Sequence, residues 1–173
     1  MDRLWSPWRS QYIQTFGTEQ EGKGCVFCEA LASSDDDARF LVRRHLHCFT
    51  MLNLYPYNSG HLLIIPHQHT GSYADLSQEA YSEMTGLLRD WMRVLETVMH
   101  PQGFNIGSNV GRVGGAGIDQ HVHMHIVPRW SGDANFMPVI ADTKVISESM
   151  DDTMRKLRAA YDALDVHSSD PEH

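Results

Sequence analysis

A chain of 173 residues, 42% of them hydrophobic, is large enough to bury one compact core, so a single domain is expected. The formal net charge of -8 disfavours general binding to nucleic acid or to an anionic membrane surface, because both are negatively charged. The 3 cysteines are an odd number, which argues against a disulfide framework.

The N-terminal region shows neither a targeting segment nor a membrane segment. It contains charged side chains without a long apolar run, and the longest apolar stretch, residues 62–65, is far too short to cross a bilayer. We therefore expect a cytoplasmic protein with no membrane partner and no nucleic-acid partner. Residues 1–24 are polar apart from several aromatic residues, which predicts an extended arm that anchors through those aromatics.

Hydrophobic patterning predicts a sheet and two long helices. The strands are expected at residues 40–44, 46–52, 61–65, 104–110 and 120–127. The first three strands should form an antiparallel meander. Ser77 is a predicted N-cap before a helix that continues to about Met99, and Ser149 is a predicted N-cap before a helix from about Met150. The polar residues 165–173 predict a disordered tail.

The most informative pattern is the alternation of His121, His123 and His125 with apolar residues. In a strand, alternate side chains leave the same face, so the three imidazoles should share one face while their apolar neighbours enter a core. Imidazole can act near neutral pH as a nucleophile, a proton donor or a metal ligand. A catalytic zinc site held by all three histidines is therefore one interpretation, and a division of roles among them is another.

Two further features bear on the chemistry of the site. Cys25 and Cys28 form a C-x-x-C pair, which is typical of half a metal site or of a redox pair. The glycine-rich turn at residues 111–117 precedes the histidine strand, and glycines allow a backbone to approach a phosphate closely. The same turn could equally be an ordinary connection between strands.

These residues together resemble the histidine triad (HIT) nucleotide-binding proteins. The resemblance is carried by the three alternating histidines, by the segment Gly-His-Leu-Leu-Ile-Ile-Pro at residues 60–66 and by Asn109, and it covers about residues 25–130. The flanking residues 4–9, 128–130 and 132–138 resemble the bacterial branch related to diadenosine tetraphosphate phosphorylases and hydrolases. The resemblance implies an α+β fold, with helices packed on an antiparallel sheet, in a single domain at residues 25–164 that assembles as a homodimer.

The implied activity is nucleotidyl transfer from an adenosine polyphosphate through a covalent nucleotidyl-histidine. His123 would be the nucleophile, which requires a backbone carbonyl to hold the proton on its other ring nitrogen. His125 would contact the phosphate and support proton transfer to the leaving group, and His61 would orient this assembly. The resemblance assigns nucleotide and phosphate contacts to Asn53, for the ribose, to Asn109 and to the backbone of Gly115, Ala116, Gly117 and Ile118.

The resemblance also implies a structural zinc ion. Its ligands would be Cys25, Cys28, His69 and His121, with His67 as the competitor for the position of His69. Four protein ligands would leave no open position for a water molecule. For the dimer, the side-by-side Trp91 and Met92 suggest more apolar surface on their helix than one sheet face needs.

Three functional alternatives remain at this point. The first is the catalytic three-histidine zinc enzyme, and the second is a nucleotide sensor that binds without turnover. Within the nucleotidyl-transfer interpretation, which is the third, the presence of His125 favours water as the acceptor, whereas the flank after the histidine strand favours phosphate. Arg112 and Arg129 are the nearest candidates for binding an incoming phosphate.

Overall fold

The computed structural model describes residues 24–133 and 148–168. The predicted N-terminal arm, except Gly24, and the flank from residue 134 lie outside the described residues. The elements in chain order are α1 (Val26–Ala32), β1 (Leu41–Arg44), β2 (Cys48–Leu52), β3 (Leu62–Pro66), a 3-10 turn (Tyr73–Asp75), α2 (Gln78–Met99), β4 (Gly103–Gly107), β5 (Met124–Arg129) and α3 (Met150–Ser168). The fold is α+β, as predicted.

The five strands form one sheet in the order β1-β2-β3-β5-β4, and every neighbouring pair is antiparallel. The predicted meander of the first three strands is confirmed. Strand β3 is central, and its pairing with β5 sets Leu63 opposite His125. This register brings His61, the residue immediately before β3, next to residues 121–125, which are called the histidine segment below.

The two long helices begin where the sequence predicts. Ser77 accepts a hydrogen bond from the amide of Ala80 at 3.2 Å, and Ser149 accepts one from the amide of Asp152 at 3.1 Å. Both side chains satisfy amide groups that a helix start leaves without an intrahelical partner. Helix α3 continues to Ser168, beyond the predicted end of the domain at residue 164. Residues 169–173 lie outside the described residues.

Helices α2 and α3 cover one face of the sheet. Trp91 is fully buried there, with its ring centroid 4.5 Å from that of Tyr161 on α3. The apolar stripe of α2 is therefore covered within the chain, and the expectation of surplus apolar surface at Trp91 is wrong. Met92 packs against the same core while partly buried. No helix in the described ranges is both long enough and apolar enough to span a membrane.

The opposite face of the sheet is covered by α1, which the sequence patterning did not predict. Because strand side chains alternate between faces, Leu62 and Ile64 enter the first core, which lies under α2 and α3. Leu63 and Ile65 enter a second core, which lies under α1. The second core also contains Phe27 of α1 and a residue of the glycine-rich loop, Ile118. This packing holds the start of α1 against the sheet near the histidine segment.

The predicted histidine strand is only half correct. Strand β5 begins at Met124, so His121 and His123 precede it and only His125 lies on the strand. The β3–β5 pairing ends at Ile64 and Met124, and Val122 instead donates a hydrogen bond to the Thr70 carbonyl at 2.7 Å. Pro66 ends β3 and has no N–H with which to extend the ladder.

Candidate active site and metal centre

A cluster of four side chains lies at the first end of the histidine segment. Cys25 and Cys28 lie at the start of α1, His69 follows β3 and His121 precedes β5, and their ligand atoms all lie within 4.8 Å of one another. His121 Nδ1 lies 3.3 Å from Cys25 Sγ and 3.7 Å from Cys28 Sγ, and His69 Nδ1 lies 3.2 Å from Cys28 Sγ. A tetrahedral zinc ion with bonds of about 2.0–2.3 Å needs ligand atoms about 3.3–3.8 Å apart. These four residues could hold a metal ion.

The hydrogen bonds around His121 suit a metal ligand. Its Nε2 lies 2.9 Å from the Pro66 carbonyl and donates to it, so Nδ1 carries a lone pair that faces the two thiols. Burial lowers the pKa of His121, which keeps the ring neutral. Burial, together with the neighbouring Cys25, raises the pKa of the Cys28 thiol to about 11. A cation between the sulfur atoms would stabilise the thiolates that this environment otherwise disfavours.

The cluster contains His69 rather than His67. The ring of His67 lies beside Phe49, with centroids 6.1 Å apart. The cluster also separates His121 from the other two histidines of the triad, because no metal-compatible group among the described residues contains His123 or His125. The structure therefore does not assemble the three-histidine catalytic zinc site that was one interpretation of the sequence.

His123 lies in the middle of the segment and is 6% exposed. Its Nδ1 lies 2.9 Å from the carbonyl oxygen of His121. A carbonyl only accepts, so Nδ1 holds the proton and Nε2 holds the lone pair. Burial lowers the pKa of His123, and the ring centroid of Phe27 lies 5.0 Å from that of His123. The arrangement favours a neutral imidazole whose Nε2 is unprotonated.

His61 and His125 form a hydrogen-bonded pair beside His123. The ring centroids of His123 and His125 are 4.9 Å apart, and His61 Nε2 lies 2.9 Å from His125 Nδ1. The Tyr57 amide donates to His61 Nδ1 at 3.1 Å. An amide only donates, so His61 Nδ1 has no proton and Nε2–H donates to His125. Neutral His125 then carries its own proton on Nε2.

The two asparagines implied as nucleotide contacts lie in different surroundings. Asn53 Nδ2 lies 3.3 Å from His61 Nδ1, and its Oδ1 accepts from the Tyr55 amide at 3.0 Å. Asn53 therefore contacts the histidine pair directly. Asn109 lies half-buried in the loop after β4.

The glycine-rich loop uses part of its backbone to hold its own shape. The Gly115 amide donates to the Arg112 carbonyl at 3.0 Å, and the Ala116 amide donates to the Gly111 carbonyl at 3.2 Å. No described residue accepts a hydrogen bond from the amides of Gly117 or Ile118, which are therefore the better placed donors for a phosphate. The Ile118 side chain is 8% exposed and belongs to the second core.

Both arginines proposed for phosphate binding are ion-paired. Arg129 donates to Asp133 through Nε at 2.6 Å and Nη2 at 2.8 Å, a bidentate pair. Arg112 donates to Asp119 through Nε at 2.8 Å. Arg129 is thus engaged in holding the end of β5, whereas most of the Arg112 side chain remains exposed.

Tyr57 and Asn58 also contact His61, although the sequence pattern did not identify them. The Tyr57 ring centroid is 4.9 Å from that of His61 and 6.2 Å from that of His125, and the Asn58 carbonyl accepts from the His61 amide at 3.2 Å. In the sequence, Asn58-Ser59-Gly60 indicates only the turn before a strand. Gly60 has φ +74°, and an added Cβ would lie 2.5 Å from Met99 Sδ. Only glycine fits this position, so Gly60 in the sequence indicates a tight turn. This turn brings residues 57 and 58 against His61.

Comparisons with known proteins identify the family of this chain. The HIT domain model matches residues 36–132, more than half of the chain. An AP-4-A phosphorylase of Mycobacterium tuberculosis is 35% identical over 166 residues, which cover 93% of this chain and 85% of that protein. The crystal structure of a zinc-bound histidine triad family protein from Mycobacterium smegmatis is 26% identical, with a TM-score of 0.67 over 83% of this chain and 97% of that one.

A histidine triad nucleotide-binding protein from Sulfolobus tokodaii has the same fold. It is 21% identical, with a TM-score of 0.68 over 86% of this chain and 99% of that chain. The matched domain includes all three triad histidines and His61. The chain therefore belongs to the HIT family.

Proposed function

We propose that this protein is a nucleotidyl hydrolase that acts on an adenosine polyphosphate such as diadenosine tetraphosphate, through a covalent nucleotidyl-His123. The observation that carries the proposal is the hydrogen bond from His123 Nδ1–H to the His121 carbonyl, which leaves the lone pair on Nε2. A nitrogen fixed in this state can attack a phosphorus atom without first losing a proton. The similarity to an AP-4-A phosphorylase over 93% of the chain supports the substrate class.

In the first step, His123 Nε2 forms a bond to the α-phosphorus, and the bond from that phosphorus to the bridging oxygen breaks. The electron pair leaves with the nucleoside triphosphate. A terminal phosphate has a second pKa of about 6, so this leaving group departs as an anion without an obligatory proton. The protein's contribution is therefore mainly positioning and charge stabilisation.

His125 supplies part of that stabilisation. Because His61 Nε2–H donates to His125 Nδ1, neutral His125 presents Nε2–H as a hydrogen-bond donor to a phosphoryl oxygen. The amides of Gly117 and Ile118 would donate to other oxygens of the same phosphate. Asn109 would contact the leaving side and Asn53 the ribose, in addition to its contact with His61.

In the second step, water attacks the nucleotidyl-histidine, the P–N bond breaks and its electron pair returns to His123 Nε2. AMP is released, and the proton from water passes to AMP or to solvent. Phosphate is the alternative acceptor, favoured by the similarity to the AP-4-A phosphorylase. The ion pairs of Arg129 and Arg112 favour water as the acceptor, because both guanidinium groups already donate to a carboxylate of the protein.

Product analysis tests the proposal and its alternatives. Diadenosine tetraphosphate and water give AMP and ATP, whereas attack by phosphate gives ADP and ATP. We expect AMP and ATP in phosphate-free buffer. Dominance of ADP at millimolar phosphate would identify a phosphorylase, and binding without either set of products would identify a sensor.

The four-residue cluster is proposed to hold a structural zinc ion. Two thiolates and two imidazoles are a common zinc donor set, and four protein ligands close the coordination sphere. Such an ion cross-links α1 to the histidine segment and supplies no chemistry to the reaction. The similarity to a zinc-bound relative supports this assignment.

The protein is further proposed to be a cytoplasmic homodimer. The argument is the sheet edge at β4, where Ile106 is 44% exposed on a strand that is paired on one side only among the described residues. Exposed strand edges are prone to pair with another chain. Light scattering should give twice 19.6 kDa at micromolar concentration, and a mass near 19.6 kDa would refute the dimer.

A further inference from the structure

Residues 129–133, at the end of β5, form a hydrogen-bond network that the proposed reaction does not use. Asp133 accepts two hydrogen bonds from Arg129 and one from the Trp130 amide at 3.1 Å. It also accepts from Asn58 Nδ2 at 2.6 Å. The Asp133 side chain is 9% exposed, so this largely buried carboxylate accepts hydrogen bonds from several donors at the end of β5.

Asn58 connects the Asp133 carboxylate to the turn before His61. It is 6% exposed, and its Nδ2 donates both to Asp133 and to the Pro128 carbonyl, the latter at 3.0 Å. Its own carbonyl accepts from the His61 amide at 3.2 Å. Asn58 is therefore anchored to β5 by its side chain and to His61 by its backbone.

The residue before Asn58 determines the state of His61. The Tyr57 amide donates to His61 Nδ1 at 3.1 Å, which places the His61 proton on Nε2 and directs it at His125. A shift of this turn by about 1 Å would break that hydrogen bond, because N–H···N contacts weaken steeply beyond normal length. His61 could then place its proton on Nδ1 and stop donating to His125.

We propose that Asn58 and Asp133 are positioning residues that hold the Tyr57 amide against His61 and thereby set the tautomers of His61 and His125. Residues 129–133 and the Asn58-Ser59-Gly60-His61 turn, which are far apart in sequence, form one hydrogen-bonded unit. The expected effect on rate rests on the proposed function. The effect on the tautomer does not, because it concerns only the folded protein.

The test uses the variants Asn58→Ala and Asp133→Asn. Asp36→Asn is the matched control, because Asp36 also forms a bidentate pair with an arginine, Arg44 on the edge strand β1. Two measurements are made on each full-length protein. The first is kcat and KM with diadenosine tetraphosphate. The second is the 15N chemical shift of the His61 ring nitrogens, which distinguishes a protonated from an unprotonated nitrogen.

Asn58→Ala should lower kcat by about 10- to 100-fold with little change in KM, which is part of the roughly 10²–10³ that one hydrogen-bond donor to a reacting oxygen typically contributes. Asp133→Asn should have a smaller effect in the same direction, because its remaining oxygen still accepts a hydrogen bond. The His61 spectrum should change from one tautomer to a mixture in both variants. The control should keep both the rate and the wild-type tautomer.

A wild-type His61 tautomer in both variants would overturn the proposal, even if kcat fell, because the network would then stabilise the fold without setting the histidine pair. If Asn58→Ala does not fold, Asp133→Asn decides the question, since it preserves side-chain volume. If wild-type protein has no turnover, the proposed function fails, and the spectra still decide whether this network sets the tautomer.

Discussion

The two ends of the histidine segment present the same ring nitrogen to different partners. His121 Nδ1 faces two thiols and His125 Nδ1 faces another imidazole, while the Nε2 of His121 donates to the Pro66 carbonyl. His123 lies between them with the opposite arrangement, its proton on Nδ1. Three histidines thus have three different sets of partners. In each ring, the partner of one nitrogen determines whether the other nitrogen donates or accepts a hydrogen bond.

The two ends also differ in what stabilises them. At the metal end, formed by Cys25, Cys28, His69 and His121, the candidate ligands come from the start of α1, from the residues after β3 and from the histidine segment. A bound ion would therefore join segments more than 90 residues apart in sequence. At the opposite end, which is called the relay end below, hydrogen bonds between neutral groups fix the rings of His61 and His125. A change at the metal end should therefore mainly alter the stability of the fold. A change at the relay end should mainly alter the rate of the reaction.

The largest effect is expected between the two ends. His123→Asn removes the nitrogen nucleophile with little change in volume, so turnover should fall by several powers of ten while nucleotide affinity remains close to wild type. Turnover is measured by product release and affinity by calorimetry. His45→Asn, in the β1–β2 turn, is the control. More than about a tenth of the wild-type rate in His123→Asn would exclude a covalent role.

The metal end is tested by Cys28→Ser. Wild-type protein should contain about one zinc ion per chain by elemental analysis, and the variant should lose zinc and melt at a lower temperature, because structural zinc contributes folding free energy. Cys48→Ala is the matched control. Cys48 is fully buried and lies outside the cluster, so its loss should lower the melting temperature while zinc is retained. Metal-free wild type with full stability would contradict the site.

Much of the metal end could be predicted from sequence, partly from chemistry and partly from the family resemblance. The C-x-x-C pair indicated half of a metal site, and the resemblance to the HIT family supplied His69 and His121 as the remaining ligands. The choice between His67 and His69 could not be made, because both follow Pro66 and the direction of each ring depends on the loop after β3. The helix α1 was missed because its seven residues are too few to display a helical period.

The relay end was less predictable. His61 and Asn53 were identified as site residues, but their contact depends on the turn between β2 and β3, whose shape follows from Gly60 and Met99. The start of β5 was predicted too early, because alternation continues through His121 and His123 whereas backbone pairing stops before Pro66. Tautomers depend on such backbone partners, and side-chain pattern alone does not contain them.

A change at Asn53 sharpens the comparison, because it separates the contact of Asn53 with His61 from its proposed contact with the ribose. Asn53→Asp replaces the amide that faces His61 Nδ1 with a carboxylate oxygen, which favours a proton on that nitrogen. We expect kcat to fall by about tenfold while KM changes little, because the donor to His125 is weakened. Steady-state kinetics separate this result from a ribose-binding role. A large rise in KM with unchanged kcat would assign Asn53 to substrate binding instead.

The smallest effect is expected at the loop arginine. The Arg112 side chain is 79% exposed and its Nε is paired with Asp119, and exposed ion pairs of this kind typically contribute only about 0–1 kcal/mol. Arg112→Ala should therefore change the ratio of ADP to AMP at millimolar phosphate by less than about threefold, well within that energy range. Arg89→Ala, which removes a similarly exposed arginine paired with Asp90 on α2, is the matched control. If ADP formation is lost in Arg112→Ala while AMP formation continues, the arginine binds the incoming phosphate despite its pairing. The acceptor is then selected in the glycine-rich loop rather than by the histidine pair, and the enzyme is a phosphorylase.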